Sequence, residues 1–277
     1  MFGLGKRQII SSIPLRKLPV QPKISRVNPY ESDKLLSEYL LFHYGSPEQI
    51  VPDAFPEMQL HVDFAVRTVA HTLQVKRLPA RARALDVGAA VGRSSFELAR
   101  FCEEVIGIDF SQRFIAAAKA VRESGFAEFN RIDEGHLATG LRNFLPSEID
   151  RHRVQFEVGD AMHLRAGLGT FDVVHAANLI DRLPDPLKFL RRLPGLIRPG
   201  GQLILTSPYT WLEDFTPQEN WLGGFIKNGE CFTTLQRLEK ELTDFQLIQT
   251  VDVPFLIREH ARKYQWSIAQ ASIWIRS

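Results

Sequence analysis

Two carboxylates and two glycines near residue 90 have the spacing needed to hold a charged small molecule. The stretch from Ala84 to Gly92 reads Ala-Leu-Asp-Val-Gly-Ala-Ala-Val-Gly. Gly88 and Gly92 lack a Cβ atom, and the alanines between them are small, so a ligand can approach this backbone closely. Asp86 would repel a pyrophosphate but can accept hydrogen bonds from an ammonium group. Asp109 follows roughly 20 residues later, the separation at which a carboxylate holds ribose hydroxyls.

The elements that position these residues are a strand, a tight turn and the start of a helix. Apolar residues run up to Asp86, and residues 94–100 follow the turn with helical spacing. The next strand, residues 104–108, ends in Asp109. A ligand would therefore lie at the carboxyl ends of these strands, against the N–H groups of the following helix. The turn lacks the G-x-G-x-x-G spacing of dinucleotide-binding proteins. The alternative for Asp109 is a simple helix cap.

Three further apolar segments extend this pattern. They are predicted strands at residues 154–158, 171–177 and 202–207. Asp160 follows the first of them, Asn178 follows the second, and a Pro-Gly-Gly sequence precedes the third. Strands that alternate with helical segments predict an α/β fold with a Rossmann-like, doubly wound and mostly parallel sheet.

In this order and spacing, the motifs resemble those of the class I S-adenosylmethionine-dependent methyltransferases. The resemblance implies S-adenosyl-L-methionine as the cofactor and S-adenosyl-L-homocysteine as the product. It also implies that Asp160 meets the adenine amino group and that Ala161 or Met162 touches the adenine ring. The cofactor-binding residues implied in this way are Asp86, Gly88, Ala89, Gly92, Asp109, Phe110, Asp160, Ala161, Met162 and Asn178.

Composition narrows the class of protein further. The 277 residues are 44% hydrophobic and 24% charged, with a formal net charge of +2, as in a soluble globular protein. No apolar run approaches the roughly 20 residues of a membrane span, and no secretory signal is evident. A cytoplasmic protein without a membrane partner is therefore expected. No extended basic face occurs beyond the first 27 residues, which disfavours nucleic acid as a partner.

The charge pattern predicts two regions. Residues 1–27 contain six Lys and Arg and no Asp or Glu, which predicts a mobile basic leader, with an organellar transit peptide as the alternative. Residues 28–277 are predicted to form one domain with N-terminal helical cover and a C-terminal aromatic lid. Its parts are a helical cap at 28–83, a cofactor-binding core at 84–207, an insertion at 125–153 within that core, and a substrate loop with the last strands at 208–277. Helices are predicted at residues 34–44, 58–74, 112–123 and 187–196, and the insertion is expected to hold an extra strand or hairpin.

A narrower resemblance covers roughly residues 28–276. Its motifs are Tyr-Glu-Ser-Asp-Lys-Leu-Leu at 30–36, Phe-His-Tyr-Gly at 42–45, the aromatic loops at 208–217 and 221–224, and the segment at 255–266. Together they resemble the methyltransferase domain of the ovothiol-biosynthesis enzyme. The resemblance implies methylation of a ring nitrogen of 5-thiohistidine (4-mercaptohistidine), the final step of ovothiol A biosynthesis. In that family the domain is commonly fused to an iron-dependent sulfoxide synthase, so a stand-alone version with a separate synthase upstream is expected here.

The chemistry of an imidazole substrate selects candidate substrate residues. Tyr, His and Asn side chains can hold the ring by hydrogen bonds, Tyr and Trp can stack on it, and Arg can hold a carboxylate. The principal candidates are His43, Asn178 and Tyr209, and the others are Tyr30, Tyr39, Trp211, Arg258 and His260. No metal site is expected, because the eight histidines show no HxxxH or HxH pairing and the two cysteines are far apart.

Several of these candidates have a purely structural alternative. Trp211 can belong to the core, Arg258 can pair with a neighbouring acid, His260 can be a surface residue, and His43 can pack on its helix. At the level of function, a second hypothesis keeps the fold and cofactor but changes the substrate to another small molecule, such as histidine or a related amine. A third is a catalytically silent fold that acts as a binding partner. The intact carboxylates and glycines of the cofactor motifs argue against this third hypothesis.

Overall fold

The core of the protein is a seven-stranded sheet. A computed structural model describes residues 29–227 and 229–277. Its strands are β1 (Arg83–Val87), β2 (Glu104–Asp109), β3 (Phe126–Glu134), β4 (Leu137–Phe144), β5 (Val154–Val158), β6 (Phe171–Ala177), β7 (Ile197–Ser207), β8 (Phe225–Lys227), β9 (Glu230–Phe232), β10 (Phe245–His260) and β11 (Lys263–Arg276). The sheet order is β5-β2-β1-β6-β7-β11-β10. The first five strands of this order are parallel, and β11 is antiparallel to both of its neighbours. The predicted Rossmann-like, doubly wound sheet is confirmed.

Helices flank this sheet. They are α1 (Asp33–Tyr44), α2 (Pro47–Ile50), α3 (Phe64–Ala70), α4 (Arg93–Leu98), α5 (Gln112–Ser124), α6 (Pro186–Leu190), α7 (Leu193–Leu196) and α8 (Thr234–Glu241). The central strands are buried on both faces, as Ala84 and Leu85 of β1 show, which explains their continuous apolar sequences. Among the described helices, none combines the length and the apolar composition that a transmembrane span requires. The predicted leader, residues 1–27, lies outside the described residues.

Two predicted helices are divided in the structure. In place of one helix over residues 58–74, a 3-10 helix at Pro56–His61 is followed by α3. Asp63 lies between them with φ of 57°, a left-handed conformation that a right-handed helix cannot contain. The helix predicted at 187–196 is divided into α6 and α7, because Pro194 has no backbone N–H with which to continue the helix. Both single-helix predictions were wrong.

The insertion forms a hairpin. Strands β3 and β4 pair with each other and with no strand of the main sheet, from Phe126–Phe144 to Glu134–Leu137. The expectation of an extra strand or hairpin in this segment is therefore confirmed. The hairpin packs beside α1 and α2, where the side chain of Asn143 donates to the carbonyl of Tyr44 at 2.6 Å.

The last two strands extend past the sheet. β11 pairs with β7 only as far as Gln270 opposite Ser207, whereas β10 and β11 continue together to the pair of His260 and Lys263. We call residues 251–269 the arm. The arm projects beyond the carboxyl end of β7 and packs on the N-terminal helices. Phe255 lies 4.6 Å from Phe64, measured between ring centroids. The N-terminal helices and the arm therefore cover the end of the sheet at which a ligand would bind.

Candidate active site

The glycine turn lies at the carboxyl end of β1. The N–H groups of Gly88 and Ala89 both donate to the carbonyl of Ile108 in β2, at 2.8 and 3.0 Å. Gly88, Ala90 and Gly92 all have positive φ, of 77°, 48° and 90°. Positive φ is strained for alanine, so the turn is held in shape by its surroundings. This backbone forms the floor of the site.

Asp109 faces this turn from the end of β2. Its carboxylate accepts hydrogen bonds from the N–H of Ala90 at 2.9 Å and from the N–H of Ser111 at 2.8 Å. The residue is half-buried, and the next side chain, Phe110, is 65% exposed. Each carboxylate oxygen takes one N–H group and retains a further lone pair. An acceptor for hydroxyl groups thus lies next to an exposed aromatic ring.

Asp109 predicts that affinity for the cofactor depends on pH. Burial raises the pKa of this carboxyl to about 6, against the opposing effect of the two N–H donors. The ionised form accepts hydroxyl hydrogen bonds better than the protonated form, so affinity for S-adenosylmethionine should increase with pH by up to about tenfold per unit below the pKa. Above it the affinity should level off. Calorimetric titrations with S-adenosylmethionine at pH values below and above this pKa test the prediction. The substitution Asp109→Asn should remove the increase of affinity with pH. A flat profile in the wild type would exclude this role for Asp109.

Asp160 follows β5 on the same edge of the sheet. It accepts a hydrogen bond from the N–H of Met162 at 2.8 Å, and its other oxygen lies 2.8 Å from Nδ1 of His163. Asp160 thereby caps a 3-10 helix that buries Ala161 and Met162. The predicted contacts of these residues with the adenine ring stay a prediction.

Asp86 lies beneath the turn, where other side chains of the protein contact both of its oxygens. Its side chain is 1% exposed, and one oxygen accepts hydrogen bonds from the hydroxyls of Ser94 and Ser95, at 2.7 and 2.6 Å. The other oxygen lies 2.8 Å from Nδ1 of His175. Although burial alone would raise it, these partners hold the pKa of Asp86 below its usual range. Asp86 is therefore bound within the protein beneath the turn, and direct contact with an ammonium group stays a prediction.

Helix α1 brings two predicted substrate residues to the site. Tyr39 and His43 stack with their ring centroids 5.9 Å apart, and Tyr30 meets Tyr39 edge to face at 6.0 Å. His43 is buried, and among the described residues its Nδ1 has no hydrogen-bond partner. Burial lowers the pKa of His43 to about 4, so the imidazole is neutral at neutral pH. It can accept or donate one hydrogen bond.

Asn178 and Tyr209 flank the same edge with strained backbones. Their φ angles are 50° and 53°, a region that non-glycine residues rarely adopt and that is enriched at functional sites. Asn178 lies directly after β6, where its N–H donates to the carbonyl of Thr206 at 2.8 Å. Tyr209 follows β7 and donates its hydroxyl to Gln270 at 3.0 Å.

Asp181 is a neighbouring carboxylate that the sequence analysis did not single out. It is fully buried, accepts the N–H of Thr210 at 3.1 Å and lies 3.0 Å from the guanidinium of Arg182. Burial raises its pKa. Its charge is close enough to influence both Tyr30 and Tyr209. The sequence offered one signal, namely its position in the segment directly after β6.

Three other predicted substrate residues make contacts within the protein. Trp211 is buried in the core and donates its indole N–H to Thr234 at 3.0 Å, so the aromatic loop does not form a lid through this ring. Arg258 holds the arm through bonds to backbone carbonyls and to Asp133. His260 lies at the tip of the arm, where its Nδ1 accepts the N–H of Arg262. A contact of any of them with the substrate stays a prediction. Within residues 29–227 and 229–277, no group of three or more His, Cys, Asp or Glu could hold a metal ion.

Residues 85–205, which run from β1 into β7, match a family model described as a methyltransferase domain. This part of the chain is therefore similar to a methyltransferase domain. Its cofactor is S-adenosylmethionine, and the residues at the turn fit it. Asp109 offers hydroxyl acceptors, Phe110 offers a face for a flat ring, and Gly88 and Gly92 leave the backbone open. The predicted cofactor is confirmed, and the match agrees with the predicted class.

Two curated relatives of the chain are methyltransferases whose names refer to ubiquinone biosynthesis and to a hydroquinone. The ubiquinone biosynthesis O-methyltransferase of Rhodopseudomonas palustris is 29% identical over 176 residues, 61% of this chain and 59% of the relative. The 2-methyl-6-phytyl-1,4-hydroquinone methyltransferase of Synechocystis is 29% identical over 168 residues, 60% of this chain and 43% of the relative. The chain thus spans less than two thirds of either relative.

Solved structures share the fold. The [4+2]-cyclase SpnF superposes with a TM-score of 0.51 and 17% identity, covering 87% of this chain and 93% of that one. A protein described by the conversion of a disulfide bond into a thioacetal group during echinomycin biosynthesis gives a TM-score of 0.50 and 14% identity, covering 89% and 93%. At this identity the likeness shows the fold alone.

Proposed function

We propose that this protein methylates a ring nitrogen of 5-thiohistidine with S-adenosylmethionine as methyl donor. The observation that carries the proposal is the neutral, buried imidazole of His43, which stacks on Tyr39 beside the cofactor turn. Neutral aromatic groups suit a neutral imidazole substrate, because they can stack on it and hydrogen-bond it without altering its charge. A separate enzyme of the sulfoxide synthase class would supply this substrate.

The reaction is an in-line displacement in which positioning supplies most of the rate. A bond forms between the ring nitrogen and the methyl carbon as the carbon–sulfur bond breaks, and the electron pair remains on the departing sulfur. The methylated ring then releases its N–H proton to water, so a strong general base is not required. The substrate's own thiolate is the competing nucleophile. The role of His43, Asn178 and Tyr209 is to aim the nitrogen at the methyl group and to hold the sulfur away.

Methylation of a quinol oxygen is the second candidate, and the similarity to the quinol methyltransferases favours it. A phenolic hydroxyl has a pKa of about 10, so this reaction needs a base close to the nucleophile. His43, with a pKa of about 4, is a weak base for this purpose. The pKa of Asp181 is raised, and its Oδ1 has no hydrogen-bond partner among the described residues. Its side chain is 0% exposed, however, which keeps it away from the hydroxyl of a bound quinol. The site therefore favours the nitrogen nucleophile.

A single competition experiment separates these candidates. The purified protein is incubated with S-adenosylmethionine and, in parallel, with 5-thiohistidine, histidine and a catechol-type quinol, and each product is analysed by mass and fragmentation. A methyl group on the ring nitrogen of 5-thiohistidine supports the proposal. Transfer to sulfur would contradict the account of positioning, and transfer to histidine or the quinol would establish the corresponding alternative. Cofactor binding without any turnover would support the silent fold.

The substitution His43→Phe tests the role assigned to this imidazole. Phenylalanine preserves the stacking on Tyr39 but removes both ring nitrogens. We expect kcat to fall by about 100-fold or more, while the dissociation constant for S-adenosylmethionine stays within about twofold. His71→Phe is the matched control, because His71 is exposed at the end of α3. An unchanged kcat in His43→Phe would remove His43 from the mechanism.

A further inference from the structure

Three buried polar side chains, those of Thr68, His175 and Asp86, form a hydrogen-bonded network beneath the cofactor turn. Thr68 of α3 has its Oγ1 3.2 Å from Nε2 of His175, and Nδ1 of His175 lies 2.8 Å from Asp86. His175 and Asp86 are register partners on the neighbouring parallel strands β6 and β1. None of the three side chains is more than 1% exposed. Buried polar groups of this kind persist only where they are fully hydrogen-bonded.

The partners of this network restrict where its hydrogens can lie. The hydroxyl of Thr68 lies 3.0 Å from the carbonyl of Ala65, which can only accept. A Thr68 proton shared with that carbonyl leaves the hydroxyl oxygen as an acceptor facing Nε2 of His175. Nδ1 of His175 faces the carboxylate of Asp86, which is also an acceptor. This arrangement offers an acceptor to each ring nitrogen, as an imidazolium requires.

We propose that His175 is a buried imidazolium that positions the cofactor turn. Its first effect is to balance the charge of Asp86, because an isolated buried carboxylate is strongly unfavourable. Its second effect is mechanical. Asp86 accepts the hydroxyls of Ser94 and Ser95 in the first turn of α4, directly after Gly92. The network of Thr68, His175 and Asp86 thereby connects α3, in the helical cap, with both ends of the glycine turn.

The arrangement is not a nucleophilic triad, despite the sequence of hydroxyl, imidazole and carboxylate. A triad needs a hydroxyl that an external substrate can reach and a proton that the imidazole can remove. Thr68 is fully buried, so an external substrate cannot reach its hydroxyl. The other charged or titratable groups that face Asp86 are His43 from α1 and Asp109 from β2. His175 is therefore a positioning residue and touches neither cofactor nor substrate.

Nitrogen NMR of the wild-type protein, labelled with 15N-histidine, tests the protonation state directly. We expect one histidine, identified by its loss in His175→Gln, to show hydrogens on both ring nitrogens at neutral pH. It should keep them when S-adenosylmethionine binds. A signal from one bare ring nitrogen would overturn the proposal. Should His175→Gln fail to fold, the same signal is assigned by its change in Thr68→Val, which removes only the distal acceptor.

Measurements of cofactor binding test the positioning role. They need no methyl acceptor, so their outcome does not depend on whether 5-thiohistidine is the substrate. We expect His175→Gln to raise the dissociation constant for S-adenosylmethionine about tenfold, the effect of losing one hydrogen bond to a charged group. Thr68→Ser, which keeps the hydroxyl, should retain wild-type affinity. His71→Gln is the matched control, because it changes a histidine that does not belong to this network. Wild-type affinity in His175→Gln would overturn the role.

Discussion

Replacement of Gly92 by alanine should both destabilise the protein and weaken cofactor binding. A Cβ atom at this position would lie 2.5 Å from Cζ of Phe156 and 3.0 Å from Cβ of Ala118. The φ angle of 90° adds backbone strain. Strain of about 1–2 kcal/mol and overpacking of about 1–3 kcal/mol should lower the free energy of unfolding. Denaturation in urea measures this loss, and calorimetry should show affinity for S-adenosylmethionine reduced by more than about tenfold.

Gly200→Ala separates the two contributions. Gly200 has φ of 79°, but nothing lies within 4 Å of a Cβ atom placed there. This variant should therefore show the backbone strain alone and bind the cofactor normally. Introducing Phe156→Leu into Gly92→Ala should recover part of the lost stability, because the clashing ring atoms are removed. A loss in Gly92→Ala no larger than that in Gly200→Ala would show that the contact with Phe156 is unimportant.

Replacement of Arg258 by alanine should release the arm. The guanidinium is buried and donates to the carbonyls of Gln49 and Ile50 at 3.2 and 3.3 Å, and to Asp133 at 3.0 Å. It thus joins the arm, α2 and the β3–β4 hairpin at one point. Removing it leaves two carbonyls without this donor and Asp133 with Arg131 as its remaining guanidinium partner. We expect the free energy of unfolding to fall by about 2–3 kcal/mol, measured in urea.

Two variants make this prediction specific. Arg142→Ala removes an ion pair with Glu128 on the exposed side of the same hairpin, where the effect should be below about 1 kcal/mol. Arg258→Lys should recover little, since an ammonium group cannot reproduce the planar fork of donors. Hydrogen exchange should also increase in the arm of Arg258→Ala and not in β7. Equal losses in Arg258→Ala and Arg142→Ala would contradict the assigned role of Arg258.

The cofactor half of the fold was predictable because its strands are buried on both faces. Such strands contain apolar segments, as residues 105–108 do. Asp109 and Asp160, at or just after the ends of β2 and β5, mark the edge of the sheet. The break at Asp63 was not predictable, since the apolar spacing continues through a residue whose backbone is left-handed. Tertiary contacts decide that conformation. The hairpin at 126–144 gave only a weak signal, because much of its surface is polar and exposed.

The site residues that belong to sequence motifs were predictable. Those that depend on contacts between distant parts of the sequence were less so. The turn, Asp109 and Asp160 lie next to strand ends that the sequence reveals. The contact between Asp86 and His175 joins residues 89 positions apart and follows from strand register alone. The acidic partner of Arg258 could not be identified for the same reason, because Asp133 lies 125 positions away in the sequence. Short-range patterns cannot specify such long-range partners.

The order of the last strands has a consequence for synthesis of the protein. β10 leaves the ribosome before β11, yet β11 lies between β10 and the rest of the sheet. Until β11 emerges, Val253, Phe255 and Leu256 have no strand beside them. An apolar strand with open edges can pair with another chain. The yield of folded protein should therefore increase when chaperones shield β10 until β11 has been synthesised. It should also change with the rate of translation, which sets the length of that interval.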